Sequence, residues 1–169
     1  MTEWYLLTLG VVLTIGTGLF VASEFSLINL ERTELERRQD QGERGLAPSI
    51  RALKRSSTHL SSAQIGITLT TMLTGFLAEP SLAKIIEPGL GFLGLSESTL
   101  HGIALALSLV LATVFSFLIG ELIPKNLAIA LPLRVNKAVI RFQLAFTFVF
   151  GWLVWLLNNT GNAIVRSLY

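Results

Sequence analysis

Residues 102–126 read GIALALSLVLATVFSFLIGELIPKN. The run 102–120 contains no charged residue, and a helix of about 20 such residues is long enough to cross the hydrocarbon core of a bilayer. Glu121, Pro124 and Lys125 follow directly after this run. The pattern therefore predicts a membrane-spanning helix whose end is polar and broken by proline.

Three further apolar stretches cover 4–30, 60–78 and 142–157. The first two are long enough to span a membrane, whereas 142–157 is short enough to lie at the membrane interface instead. Hydrophobic residues make up 51% of the 169 residues and charged residues only 14%, against about 25% in soluble domains. We therefore expect an all-α integral membrane protein. Because cysteine is absent, a disulfide scaffold, a cysteine nucleophile and a zinc–cysteine site are excluded.

The basic residues divide unevenly between the connections. Of the 13 Lys and Arg residues, only Lys84 lies between the second and third apolar stretches. The others lie in 31–58 or after Gly120, which three spans would place on the same side of the membrane. The positive-inside rule then predicts an outer N-terminus and a cytoplasmic C-terminus. An interfacial stretch 142–157 keeps Arg166 inside, whereas a fourth span would place it outside, and we favour the interfacial helix.

The expected organisation is one transmembrane domain over 1–169, made of three transmembrane helices plus a belt-like juxtamembrane helix. The predicted segments are spanning helices at about 4–30, 60–79 and 99–121, a cytoplasmic helical connector at 31–58, and an interfacial helix at about 127–168. Basic residues flank the apolar runs, so the lipid bilayer is the expected partner and nucleic acid is not.

Polar residues inside membrane helices are costly, and they are therefore candidates for a site. Ser23 and Ser26 are spaced to share one face of the first helix, and Gln64 and Thr68 to share one face of the second. The alternative in both cases is a polar packing face between helices. Both interpretations stay open at this point.

The sequence around Gly120 carries the sharpest signal. Pro124 has no N–H, so the carbonyl group of Gly120 loses its helical partner, and Pro124 acts as a structural hinge. Glu121 places a carboxylate beside this freed carbonyl, which together form half of a cation site. The alternative is a solvated helix end at which Glu121 pairs with Lys125.

These clusters offer only oxygen ligands, which select hard cations such as Mg²⁺, Ca²⁺ or Na⁺. No Walker or Rossmann glycine pattern is present, so no nucleotide site is expected in this chain. We expect neither catalytic residues nor an enzymatic activity.

Three motifs resemble the membrane domain of the cyclin M/CorC magnesium transporters, whose bacterial members are often labelled hemolysin-like. They are FVASEFS at 20–26, LSSAQIGITL at 60–69 and GELIPK at 120–125. The resemblance implies a homodimer in the bacterial inner membrane that exports Mg²⁺, coupled to Na⁺ entry. It also implies that the full-length protein continues into CBS domains, which this sequence does not contain.

The resemblance further implies a Mg²⁺ site that opens to the cytoplasm. Many relatives have asparagine where this chain has Ile67, so the ligand from the second helix is expected to be Gln64 or Thr68. The expected metal ligands are Ser23, Ser26, Gly120, Glu121, Gln64 and Thr68. The alternative function is a non-transporting Mg²⁺ sensor or scaffold that regulates another transporter.

Overall fold

A computed structural model describes residues 1–168, and the described chain is helical with no strand. Tyr169, the last residue of the predicted domain, lies outside the described part. The all-α prediction is confirmed. The helices are α1 (Thr2–Ile28), α2 (Arg32–Asp40), α3 (Ala47–Leu53), α4 (Ser56–Ile86), α5 (Glu97–Phe115), α6 (Ile123–Ala130) and α7 (Pro132–Ser167), with a 3₁₀ segment at Glu87–Leu93 and a π-helical segment at Ser116–Leu122.

Four helical stretches are long and apolar enough to cross a membrane. They are Thr2–Ile28, Ser56–Leu93, Glu97–Ala130 and Pro132–Ser167. The number and length of these helices indicate a multi-pass membrane protein. The arrangement of three spans plus a belt helix, as against four spans, stays a prediction.

Glycine and proline account for the ends of several helices. Gly42 and Gly45 have positive φ angles of 95° and 83°, and they lie in the break between α2 and α3. Such angles are strained for residues with a Cβ atom, so glycine is favoured there. Pro132 begins α7, where its missing N–H leaves no helical hydrogen bond unmade.

The chain forms two compact units. The first unit contains Met1–Gly18 and Thr68–Ile123, and the second contains Leu19–Ile67 and the chain from Pro124 onward. Both α1 and α4 therefore contribute one part to each unit.

Small residues allow α1 and α4 to pack closely in the first unit. A Cβ atom at Gly10 would lie 2.6 Å from the Cβ atom of Ala78, so these backbones meet where neither side chain is large. Further along the same pair, the hydroxyls of Thr17 and Thr70 are 2.7 Å apart. The Lys84 ammonium donates a 3.0 Å hydrogen bond to the Glu3 carboxylate.

The second unit is built around one face of α7. The buried residues of this face follow helical spacing, and they are Val135, Asn136, Val139, Ile140 and Gln143. Val135 and Val139 pack with Ala22 of α1 and Ala128 of α6. Ile140 packs with Leu27 of α1 and Ala52 of α3. This end of α7 is therefore a core helix of the unit.

Phe20 fills the space between helices in the second unit. Its ring is 3% exposed and lies 4.8 Å from the Phe142 ring and 4.6 Å from the Phe146 ring, centroid to centroid. A Cβ atom at Gly66 would come within 2.5 Å of the Phe20 ring. Glycine is therefore required at position 66, because the ring is held between two other aromatic side chains.

We predict that Gly66→Ala lowers stability by about 1–3 kcal/mol, since the added methyl group overlaps a ring that has no room to move. Gly151→Ala is the matched control on α7, where an added Cβ meets nothing within 4 Å. The control should be neutral or stabilising by up to about 1 kcal/mol, because alanine favours helix. Thermal unfolding in neutral detergent measures both, and equal midpoints would contradict the packing described here.

Candidate functional site

A buried chain of hydrogen bonds links three helices of the second unit. Ser26 of α1, Ser49 of α3 and Asn136 of α7 have no exposed surface. The Ser49 hydroxyl donates to Asn136 Oδ1 at 2.6 Å, and Asn136 Nδ2 donates to the Ser26 hydroxyl at 3.0 Å. The Ser26 hydroxyl in turn donates to the Ser23 carbonyl at 3.1 Å. Ser26 therefore has both a donor and an acceptor role in this network.

Ser23 lies at the end of the same network, but its hydroxyl is not part of it. The side chain is fully buried, and its Oγ atom has no hydrogen-bond partner within residues 1–168. A buried hydroxyl without a partner costs about 1–3 kcal/mol, so such groups are rare and mark strain or a site for a water molecule or an ion. Of the two serines predicted as ligands, Ser23 is the one whose oxygen is unused.

Glu24, the residue after Ser23, binds the second-unit part of α4. Gln64 Nε2 donates to Glu24 Oε1 at 2.7 Å, and this contact lies on an exposed part of the unit. The amide nitrogen is engaged in this bond. The bond therefore holds the Glu24 carboxylate against the Gln64 side chain.

Gly120 lies in the first unit, within the π-helical segment Ser116–Leu122. It is buried, and a Cβ atom there would lie 3.4 Å from both Cγ2 and the carbonyl oxygen of Thr14. Glycine thus allows the π-helical segment to approach α1 of the first unit closely. Single π-helical turns within helices often occur at functional sites, and this one ends immediately before Ile123 and Pro124.

The two other predicted ligands in the first unit differ from Gly120 in exposure. Glu121 and Thr68 are both exposed, whereas Gly120 is buried. In the first unit, Gly120 lies against Thr14. In the second unit, Ser23 lies next to Ser26, and Gln64 lies next to Glu24. The role of all six residues as metal ligands stays a prediction.

The described residues contain no group of three or more His, Asp or Glu side chains that could hold a metal ion. The predicted ligands supply hydroxyl, amide, carbonyl and carboxylate oxygens, a set that suits hard cations.

The Cyclin M transmembrane N-terminal domain family matches residues 8–168. The chain belongs to this family. The resemblance seen in the three motifs is thereby confirmed. The cyclin M and UPF0053 proteins are linked to the transport of Mg²⁺ and other divalent cations or to its regulation, and their membrane domain is of transporter type.

Several bacterial proteins are similar to this cyclin M domain. The UPF0053 protein MT1890 of Mycobacterium tuberculosis is 42% identical over 92% of this chain and 34% of its own length. The uncharacterized protein MT1889 of the same organism is 32% identical over 94% of this chain and 45% of its own length. The UPF0053 protein YhdT of Bacillus subtilis is 28% identical over 94% of this chain and 34% of its own length. The chain thus spans between a third and a half of the length of these relatives.

A second buried polar cluster of the cyclin M domain was not predicted from its sequence. Gln143 Nε2 donates to the His59 carbonyl at 3.0 Å, and the Thr147 hydroxyl donates to the Ser62 hydroxyl at 2.8 Å. His59 Nδ1 lies 3.1 Å from the Thr147 hydroxyl. The same spacing that gives α7 its buried face places Gln143 in the interior, and this spacing is the signal that could have revealed it.

Glu43 of the connector, which lies outside the candidate spans, forms two ion pairs. The hydrogen bond from the Lys137 ammonium, together with the Arg38 guanidinium, lowers the pKa of Glu43 below its ordinary value, against the opposing effect of partial desolvation. Because this pKa is lowered on folding, the ion pairs stabilise the fold above the ordinary carboxyl pKa. That contribution is lost as the pH falls through the lowered value.

We predict opposite effects for two neighbouring buried residues. Asn136→Ala should cost about 1–3 kcal/mol or more, since it leaves the hydroxyls of Ser49 and Ser26 without their amide partner. Ser23→Ala should be neutral or slightly stabilising, because it removes a hydroxyl that has no partner. Asn159→Ala, an exposed change on the same helix as Asn136, is the control. Thermal unfolding without added Mg²⁺ measures all three, and a large loss in Ser23→Ala would show that this hydroxyl is structural.

Proposed function

We propose that the chain is the membrane core of a Mg²⁺ transporter, which takes Mg²⁺ from the cytoplasm and exports it in exchange for Na⁺. The family membership supports cation transport or its regulation. The observation that carries the proposal is the fully buried Ser23 hydroxyl without a hydrogen-bond partner. The direction of transport and the coupling to Na⁺ rest on the family resemblance of the motifs.

The Ser23 hydroxyl has the chemistry of a Mg²⁺ ligand. Mg²⁺ prefers oxygen ligands and resists losing its water, so a site must offer oxygens that are already desolvated and held in place. Ser23 Oγ is desolvated by burial, and the bond from Ser26 to the Ser23 carbonyl fixes the adjoining turn of α1. Binding an ion would remove the cost of the unused hydroxyl.

Each of the two units contains three of the proposed ligands. In the second unit they are the oxygens of Ser23, Ser26 and Gln64. In the first unit they are the Gly120 carbonyl, the Glu121 carboxylate and the Thr68 hydroxyl. Glu121 contributes a carboxylate within the same π-helical segment as Gly120, and a carboxylate ligand favours a divalent cation.

We further propose a homodimer in the bacterial inner membrane, with an outer N-terminus, three spans and α7 as the belt-like helix. The uneven distribution of basic residues supports this orientation. The relatives are two to three times longer than this chain, which supports the expectation of cytoplasmic CBS domains in the full-length protein.

The orientation is testable by single-cysteine labelling, because the chain has no cysteine of its own. We predict that Gly91→Cys reacts with a membrane-impermeant maleimide added outside intact cells, and that Arg44→Cys reacts only after lysis. Labelling of Ser167→Cys shows on which side of the membrane α7 ends. Labelling only after lysis supports the belt helix, and labelling in intact cells would show a fourth span.

Transport is tested by Mg²⁺ flux in proteoliposomes with and without a Na⁺ gradient. We predict Na⁺-dependent flux for the wild type and none for Glu121→Gln, because the charge that offsets the cation is lost. Glu97→Gln is the matched control, since Glu97 is an exposed carboxylate of the same unit in the first turn of α5. The control should transport at the wild-type rate.

Other outcomes of this experiment separate the alternatives. Flux without Na⁺ dependence would overturn the exchange mechanism while keeping a transporter. Mg²⁺ binding without flux, with correct insertion, would favour the sensor or scaffold function. Equal flux in Glu121→Gln and wild type would remove Glu121 from the site.

A further inference from the structure

A cavity of about 470 Å³ lies in the second unit at the junction of α6 and α7. Its apolar wall is the segment 130–133, which joins the two helices. Three basic side chains complete the lining, and they are Arg38, Arg134 and Lys137. The surface of the pocket is therefore mainly apolar, and three basic residues border it.

One carboxylate holds two of these cations in place. Glu43 Oε2 accepts a 2.7 Å bond from Arg38 Nε, and Glu43 Oε1 accepts a 2.9 Å bond from Lys137 Nζ. The bridge ties the segment after α2 to the first turns of α7. Because one carboxylate faces three cations, an excess of positive charge remains.

Arg134 is the cation that carries this excess. It is exposed, and it forms no ion pair with any residue in the described chain. A guanidinium group presents a planar set of donors that matches two phosphate oxygens. The group is therefore available to an anionic ligand from outside the chain.

The position of the pocket indicates the source of that anion. The apolar helical stretch Glu97–Ala130 ends at this cavity and the stretch Pro132–Ser167 begins there, so the pocket lies at the junction of two stretches that are each long and apolar enough to cross a membrane. Leu131 in the wall is 45% exposed, and Leu127 and Ile129 on the adjoining α6 are 50% and 48% exposed. A soluble phosphate would leave this apolar surface in water, whereas the chains of a lipid would cover it.

We propose that this pocket binds the phosphate headgroup of an anionic phospholipid. Arg134 provides the free guanidinium, and Lys137 and Arg38 add positive charge near it. The exposed side chains of Leu127, Ile129 and Leu131 contact the acyl chains. Basic pockets beside membrane helices recognise anionic headgroups by this combination of charge and apolar surface.

The test compares dioleoyl phosphatidylglycerol with dioleoyl phosphatidylcholine on the 169-residue chain in neutral detergent, by native mass spectrometry and thermal unfolding. We expect phosphatidylglycerol to bind more tightly and to raise the unfolding temperature. Arg134→Gln should weaken its binding about fivefold, and Arg134→Gln with Lys137→Gln should weaken it further. Arg166→Gln, the same charge change in the last turn of α7, should bind as the wild type does.

Two controls separate a loss of lipid binding from a general loss of charge or of folding. Arg134→Lys keeps the charge but loses the planar donors, so its binding should lie between that of the wild type and that of Arg134→Gln. Unfolding in phosphatidylcholine alone checks that each variant is folded. Soluble glycerol phosphate should compete poorly, because it cannot cover the apolar wall. Equal binding of both lipids, an unchanged affinity in Arg134→Gln, or full competition by glycerol phosphate would each overturn the proposal. None of these outcomes depends on Mg²⁺ transport.

Discussion

The carboxamide of Asn136 makes two hydrogen bonds on which the second unit depends. It accepts from Ser49 of α3 and donates to Ser26 of α1, and all three side chains are removed from solvent. In a low-dielectric interior these bonds are strong, and leaving any of the groups unpaired is costly. The amide therefore fixes how α1, α3 and α7 face one another within the unit. The hydroxyl of Ser23, one turn before Ser26, is left as an unused oxygen inside this fixed frame.

Most of the helical framework could be predicted from the sequence. Uncharged runs such as 102–120 allow only a membrane or core helix, because their backbone groups must be satisfied internally. Proline cannot donate a helical hydrogen bond, so a break near Pro124 was expected, but the helical stretch Glu97–Ala130 continues through this residue. The π-helical geometry, which begins as early as Ser116, was not predicted, nor was the close approach of Gly120 to Thr14.

The polar interior of the second unit was harder to predict. Ser23 and Ser26 were identified as a shared face, but helical spacing alone cannot tell a ligand from a packing residue. Asn136, more than a hundred positions along the chain, binds the Ser26 hydroxyl, whereas the Ser23 hydroxyl has no partner among the described residues. Gln143 was missed for the same reason: its partner, the His59 carbonyl, is distant in sequence.

We propose that the Ser23 hydroxyl is a ligand to Mg²⁺. Calorimetric titration of Mg²⁺ into the purified chain tests this role, comparing wild type with Ser23→Ala and with the exposed Ser167→Ala. We expect Ser23→Ala to weaken Mg²⁺ binding at least about tenfold, a change of about 1.4 kcal/mol, and Ser167→Ala to leave it unchanged. Equal Mg²⁺ affinity in Ser23→Ala and wild type would contradict it.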